Sequence, residues 1–178
     1  MTLRGIRRVV TGDDAKGNSR IVEDAPAQSV RTVMARPGYR AVNVWRTEGT
    51  PAKINAADST ENHQGILPPS SGTVLRIIDF PPEPHDAGKL KQMLDLTFGG
   101  IYQDALHDQR AGKHPGMHRT ETVDYAIVLE GEIWAVMDEG ETLLRAGDVL
   151  IQRGTNHAWA NRSQATARIA FVLIDGRR

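Results

Sequence analysis

The sequence contains no cysteine, which excludes disulfide bonds, thiolate metal sites and cysteine nucleophiles. It also has no excess of either charge: Lys plus Arg and Asp plus Glu both number 22, so the formal net charge is zero. Nucleic acids and anionic membrane surfaces attract basic proteins, so we expect neither as a partner. No apolar run approaches membrane-spanning length, and the N-terminus lacks the apolar core of a secretion signal. The sequence therefore predicts a cytoplasmic protein.

With 178 residues, the chain is long enough for one domain with a substantial core. Many of its segments alternate apolar and polar residues, which is the period of a half-buried strand. We predict strands at 7–11, 19–23, 40–47, 73–80, 122–129, 132–137, 142–145, 149–152, 158–161 and 168–174. Short strands at regular spacing, with turn residues between them, are typical of an antiparallel sandwich or barrel.

One segment departs from the strand period. Between residues 89 and 107 the apolar positions recur at helical spacing, at Leu90, Met93, Leu94, Phe98 and Ile101. We predict a helical insertion at about 86–110, capped by Asp86 or Gly88 and bent or split at the glycine pair 99–100. This helix either packs on the outside of a sheet or covers the mouth of a barrel as a lid.

Two short stretches in the second half of the chain contain histidines and a carboxylate that could form a metal-binding or catalytic site. The first contains His118, Thr120, Asp124 and Gly131. The second contains Gly147, Gly154, His157 and Asn161. Each places a potential metal-binding histidine near glycines that permit tight turns. Antiparallel strands would bring two imidazoles and a carboxylate together in a small concave site.

These stretches resemble the two conserved motifs of the cupin superfamily. In that family the first motif has two histidines and a glutamate before a closing glycine, and the second has a proline, a glycine, a histidine and an asparagine. The resemblance covers residues 116–174 and implies an all-β fold, an antiparallel β-barrel or jelly roll. We expect residues 73–178 to form this barrel with its helical insertion. Residues 1–72 would supply an N-terminal strand arm that packs on the barrel or completes it.

The chain departs from the family at the metal ligands. Cupins typically hold a divalent metal with three histidines and one glutamate, whereas here Thr120 replaces the second histidine and Asp124 replaces the glutamate. What remains is His118, Asp124 and His157, the ligand set of non-haem iron facial triads. Such a site could hold iron, zinc, manganese or nickel. The alternative is a metal-free pocket in which the same three residues act as general acid and base.

Four further residues are expected to contact a substrate: Thr120, Trp159, Trp45 and Arg76. Alternation along a strand places Thr120 on the same face as His118, and Trp159 on the same face as His157. His114, in the loop before the first motif, is a further candidate for the missing imidazole.

The residues and the resemblance together predict an enzyme that acts on a small carbonyl or ring compound. Metal-assisted chemistry would make it an oxygenase, and acid–base chemistry would make it a lyase, isomerase or cyclase. A non-catalytic, small-molecule-binding cupin is the alternative. We also expect a homodimer, because the early strands could pair with the exposed sheet edge of a second copy.

Overall fold

The structure, a computed structural model, describes residues 3–107 and 113–178. In these residues the chain forms one α-helix, α1 (Ala87–Ile101), and a short 3-10 helix (Thr60–Asn62). The strands are β1 (Arg7–Asp13), β2 (Ser19–Pro26), β3 (Val30–Thr32), β4 (Arg40–Thr47), β5 (Thr73–Phe80), β6 (Leu106–His107), β7 (His118–Arg119), β8 (Thr122–Glu130), β9 (Glu132–Met137), β10 (Glu141–Arg145), β11 (Val149–Arg153), β12 (His157–Ala160) and β13 (Ala167–Asp175). Among the described residues, no helix has the length and apolarity needed to cross a membrane.

Two antiparallel sheets enclose the core. One has five strands in the order β10-β9-β12-β7-β6, and the other has six in the order β11-β8-β13-β5-β4-β3. Ile133 and Ala135 from the first sheet belong to the same buried cluster as Val74, Val128 and Ile169 from the second. This arrangement confirms the expected all-β antiparallel barrel with one helical segment.

The N-terminal residues contribute to the structure in two ways. Strands β3 and β4 continue the six-stranded sheet beyond β5, where Val42 lies opposite Ile77. Strands β1 and β2 pair with each other in a separate hairpin. The buried guanidinium of Arg8 ties this hairpin to the barrel, because it donates to Glu23 within the hairpin and to Asp58 and the Val44 carbonyl outside it.

The helix ends at the last residue of its apolar pattern, before the predicted bound of about residue 110. Asp86 caps its start by accepting a hydrogen bond from the Lys89 amide, as one of the two predicted caps, but the helix stops at Ile101. After the helix, the carboxylate of Asp104 accepts hydrogen bonds from the backbone amides of Ile66 and Leu67. These hydrogen bonds hold the chain away from the helix axis. Residues 106–107 form a strand instead, and the predicted segment 108–110 lies outside the described residues.

Between β7 and β8 the chain crosses from one sheet to the other. Alternation alone would place Asp124 on the same strand face as His118 and Thr120. In the structure His118 belongs to the five-stranded sheet, whereas Asp124 belongs to the six-stranded sheet. Inward-facing residues still alternate with outward-facing ones through this crossing. The two side chains therefore approach the interior from different sheets.

Asn161 fixes the connection that follows β12. Its side chain is fully buried, donates to the carbonyls of Phe80 and Ala165, and accepts from the amide and hydroxyl of Ser163. We expect Asn161→Ala to lower the free energy of unfolding by about 2–4 kcal/mol, because buried backbone groups lose their partners. Urea unfolding followed by circular dichroism measures this change. The exposed Asn55→Ala serves as control and should stay within about 0.5 kcal/mol.

Candidate functional site

A small cavity of about 60 Å³ lies between the two sheets, under helix α1. Leu94 and Phe98 of the helix form part of its wall, and the next residue after the helix, Tyr102, lines it as well. Most of the remaining wall is apolar, with Ile78, Phe80, Phe171 and Leu173 from the six-stranded sheet. Six polar side chains interrupt this apolar surface: Arg36, Arg76, His118, Thr120, Asp124 and His157.

His118 and His157 lie side by side because β7 and β12 pair at this point. The two residues are direct cross-strand partners, and their ring centroids are 4.3 Å apart. Nδ1 of His118 lies 2.9 Å from the Gly116 carbonyl, and Nδ1 of His157 lies 3.0 Å from the Thr155 carbonyl. A carbonyl oxygen only accepts, so each Nδ1 carries the proton, and Nε2 keeps its lone pair when the ring is neutral.

Both imidazoles are neutral at pH 7. Burial lowers the pKa of His118 to about 4, against a smaller opposing effect of the Gly116 carbonyl. Burial, with a further contribution from the neighbouring His118, lowers the pKa of His157 well below its usual value. The pair therefore offers two hydrogen-bond acceptors, not two cations.

Asp124 is a buried carboxylic acid on β8 that lines the same cavity. Its Oδ1 is fully buried and has no hydrogen-bond partner among the described residues. Burial raises the pKa of Asp124 to about 6, although Thr122 and the positive charge of Arg76 act in the opposite direction. A carboxyl with a pKa near neutrality can both accept and donate a proton under physiological conditions, as a general acid–base catalyst requires.

Arg36, which the sequence analysis did not identify, is the second unusual buried group. Its side chain is 4% exposed, and its Nε and Nη2 have no hydrogen-bond partner among the described residues. The guanidinium lies 4.6 Å from the centre of the Tyr39 ring. Burial lowers the pKa of Arg36, while nearby Glu83 acts to raise it. Arg36 lies in a turn between β3 and β4, where no local pattern shows which way a side chain points.

The expected substrate contacts divide into two groups. Thr120, Trp159 and Arg76 line the cavity, with the Trp159 ring edge-on to that of His157 at 5.8 Å. Trp45 does not line the cavity. A bulge in β4 skips one residue, so Asn43 lies opposite Arg76 whereas Trp45 lies opposite Leu75. Because one skipped residue reverses which face a side chain occupies, Trp45 is on the other side of the sheet.

The other nearby histidines are engaged elsewhere. His114 accepts the Gly116 amide at Nδ1, and its Nε2 lies 3.2 Å from Glu83. Nε2 of His107 lies 2.8 Å from the Pro115 carbonyl, and the ring stacks on Phe98. Neither residue lines the cavity.

The donor set can be compared with that of a metal centre. Within residues 3–107 and 113–178, no three His, Cys, Asp or Glu side chains are grouped so that they could hold a metal ion. The two imidazoles are adjacent, but Asp124 does not join them as a third ligand, and catalytic metal sites usually have at least three protein ligands. The geometry therefore does not fit the expected site formed by His118, Asp124 and His157. Whether a metal binds stays a prediction.

Comparisons with known proteins relate the whole chain to one group. A family model described as "Cupin domain" matches residues 106–174. Phomopsin biosynthesis cluster protein C' of Diaporthe leptostromiformis is 32% identical over 187 residues, which covers 98% of this chain and 81% of that protein. The cupin-domain-containing oxidoreductase fogC of Aspergillus ruber is 28% identical over 183 residues, covering 97% of this chain and 75% of that protein. The cupin-domain-containing oxidoreductase virC of Hypocrea virens is 26% identical over 181 residues, which covers 96% of this chain and 78% of that protein.

Because the pKa of Asp124 is raised, the free energy of unfolding is expected to depend on pH. Between about pH 4 and about pH 6, the folded protein holds a proton on Asp124 that the unfolded chain has already lost, so stability falls as pH rises through this window. At about pH 8 the cost of the buried carboxylate is at most about 3 kcal/mol. We therefore expect Asp124→Asn, which is neutral at every pH, to stabilise the protein at pH 8.

Urea unfolding of both proteins at about pH 8 and about pH 5 tests this expectation. The advantage of Asp124→Asn should shrink at the lower pH, where Asp124 is itself mostly protonated. His118 and His157 have lowered pKa values and so lose stability as pH falls, but they do so equally in both proteins. A variant that is less stable than wild type at both pH values would contradict the prediction. Asp13→Asn, in the exposed hairpin, is the control.

Proposed function

This chain belongs to the cupin superfamily, and we propose that it is a small-molecule enzyme that transfers protons on a carbonyl compound, as an isomerase or a lyase. The observation that carries the proposal is one cavity with a buried, unpartnered carboxylate oxygen on Asp124 and two buried, unpartnered guanidinium nitrogens on Arg36. A buried polar group without a hydrogen-bond partner lowers the stability of the fold. Such a group is therefore expected where a bound ligand supplies the missing hydrogen bond. The relatives named for biosynthesis clusters or as oxidoreductases support an enzymatic role.

In this proposal Asp124 is the base. Its carboxylate removes a proton from the carbon beside the substrate carbonyl, and the electron pair of that bond moves onto the carbonyl oxygen as an enolate. The Nε–H and Nη2–H groups of Arg36 then donate hydrogen bonds to the enolate oxygen. Positioned donors of this kind contribute most where the surroundings are apolar, as they are here.

The proton on Asp124 has two possible destinations, which separate the two reaction classes. When the carbon beside the carbonyl carries a hydroxyl, the enolate is an enediolate, and its hydroxyl proton can move to the former carbonyl oxygen. Asp124 then returns its proton to the former carbonyl carbon, which gives an isomer in which the carbonyl and the hydroxyl have exchanged places. Given instead to a hydroxyl on the next carbon, the proton lets that hydroxyl leave as water while the enolate electrons form a carbon–carbon double bond. In both cases the neutral His118 and His157 accept hydrogen bonds from substrate hydroxyl groups at Nε2, and so orient the substrate.

A redox function is the second candidate, because several relatives are described as oxidoreductases. The specific observation in its favour is the pair of Nε2 lone pairs on His118 and His157, which is the tautomer that a metal ligand requires. A third ligand would have to come from the substrate, from solvent or from outside the described residues. The proton-transfer proposal does not depend on a metal.

Deuterium exchange tests the proton-transfer proposal. We expect the protein to exchange the protons beside the carbonyl of hydroxyacetone in deuterium oxide, with a rate that rises with pH up to about pH 6 and is then constant. Asp124→Asn should lower this rate at least about 100-fold, and Asp13→Asn should not change it. Proton nuclear magnetic resonance follows the loss of signal. An Asp124→Asn variant with full activity would rule out Asp124 as the base.

Elemental analysis of the same samples separates the second candidate. About one equivalent of iron, zinc, manganese or nickel, together with loss of exchange on chelation, would favour metal-assisted chemistry. Absence of exchange in wild type over a range of small ketones and aldehydes would favour a non-catalytic binding protein.

We also propose that the protein is a homodimer, formed through the outer face of β8 and β11. Tyr125 and Ile151 are cross-strand partners there and are 42% and 50% exposed, and Val149 on the same face is 56% exposed. An apolar patch on adjacent strands of a sheet is unfavourable in water, and a second copy would cover it.

Light scattering after size exclusion tests the dimer. Ile151→Lys places a charge in the proposed interface, so we expect it to convert the dimer to a monomer without unfolding it. Ile21→Lys is the matched variant on the β2 hairpin, where Ile21 is 62% exposed. If Ile21→Lys dissociates the protein and Ile151→Lys does not, the interface is the N-terminal arm. A wild-type monomer at micromolar concentration would contradict the dimer.

A further inference from the structure

A second and larger cavity, here called the outer cleft, lies next to the inner cavity. Its volume is about 470 Å³, against about 60 Å³ for the inner cavity. Arg76 and Tyr102 line both, so the two spaces share a wall made of these side chains. The hydroxyl of Tyr102 is held by a 2.8 Å hydrogen bond to the Tyr39 hydroxyl.

The inner cavity is too small for a complete substrate. Its volume is about 60 Å³, whereas ligand pockets usually measure about 300–1,000 Å³. A substrate that reacts at Asp124 must therefore extend out of the inner cavity or displace its walls. The outer cleft is an adjacent space with the volume to receive the rest of it, and it shares two lining residues, Arg76 and Tyr102, with the inner cavity.

The outer cleft has an unbalanced positive charge. Arg31 and Arg76 both line it, and neither has a carboxylate within salt-bridge distance in the part of the chain that the structure describes. The one acidic residue of the described lining is Asp104, whose carboxylate already accepts the amides of Ile66 and Leu67. Two guanidinium groups and one carboxylate leave a net charge of one positive unit.

His63 provides an independent sign that a ligand completes the outer cleft. The side chain is 3% exposed and lines the cleft, and its Nε2 is buried without a hydrogen-bond partner among the described residues. Burial is the main reason that its pKa is lowered to about 4, and the charges of Arg76, Arg46 and Arg31 lower it further. The imidazole is therefore neutral at pH 7 and able to form one hydrogen bond with a bound group.

We infer that the outer cleft binds the carboxylate end of an elongated substrate whose other end reacts in the inner cavity. The inference rests on the proposed function for the reacting end, but the cleft itself is defined by Arg31, His63 and Arg76. A carboxylate balances the single positive charge of the cleft, whereas a phosphate dianion would exceed it. Guanidinium groups also match the geometry of a carboxylate, which can accept two parallel hydrogen bonds.

Calorimetric titration of the full chain with sodium octanoate tests the inference. We expect octanoate to bind wild type, and octanol, which has the same apolar chain without the charge, to bind at least about tenfold more weakly. Arg31→Gln should weaken octanoate binding at least about tenfold, and Arg31→Lys should recover part of the loss because it restores the charge. Arg20→Gln, on the exposed hairpin, is the matched control and should bind as wild type does.

Several outcomes would overturn the inference. They are equal binding of octanoate by wild type and Arg31→Gln, equal binding of octanol and octanoate by wild type, or displacement of octanoate by inorganic phosphate at similar concentration. Among the described residues, the hydrogen bonds of the Arg31 side chain are two long ones, of 3.5 Å, to the carbonyls of Glu61 and His63, so Arg31→Gln is expected to fold. Matching thermal unfolding of the variant and wild type checks this point.

The Asp124→Asn variant separates this inference from the proposed function. Octanoate should bind Asp124→Asn at least as tightly as wild type, because the substitution removes a negative charge that interacts with Arg76 and leaves Arg31 and His63 in place. If that variant binds octanoate and retains full proton exchange, the proposed function fails while the outer cleft stands. If it loses exchange and octanoate binding is insensitive to Arg31, the proposed function stands and the outer cleft fails.

Discussion

The interior between the two sheets is apolar, so every polar group placed there must find a hydrogen-bond partner or raise the free energy of the folded state. Most of the buried polar groups do find one. Asp79, for example, accepts from both Arg40 and Arg168 at one side of the core. Asp124 and Arg36 at the inner cavity are exceptions, because they keep buried atoms without partners. The proposed substrate would complete these hydrogen bonds, which gives a reason for the fold to tolerate the local instability.

Sequence reasoning succeeded where a strand is long enough to show its period. Segments 73–80 and 132–137 match β5 and β9 residue for residue, since both have strong alternation or β-branched runs and clear turn residues at their ends. It missed β3, β6 and β7, which have two or three residues each. Such strands are too short to show any period, and only their partners across the sheet define them. The helix was found from its apolar spacing, but its end is set by the distant amides that bind Asp104.

The sequence predicted only part of the site, because some of its residues lie where no local pattern shows their direction. The two motifs identify His118, Asp124 and His157, and all three line one cavity. Arg36 and Tyr102 reach that cavity from a turn and from the end of a helix, and neither position has a local signal. Trp45 was wrongly predicted to contact the substrate. The prediction assumed an unbroken strand, whereas the bulge in β4 reverses the face of every residue beyond it. Long-range packing and single-residue irregularities are invisible to a periodic pattern.

The two buried arginines also bear on which chemistry suits the cavity. A divalent ion beside His118 and His157 would stand near the positive charges of Arg36 and Arg76, and only Asp124 among the described cavity residues would oppose them. In a low-dielectric interior such repulsion is strong, so this set of charges favours an anion over a further cation. In the proposed reaction, an enolate oxygen would supply that negative charge only while the reaction proceeds. Groups whose hydrogen bonds form only during a reaction lower its barrier, and the unpartnered donors of Arg36 would act in this way if the proposal is correct.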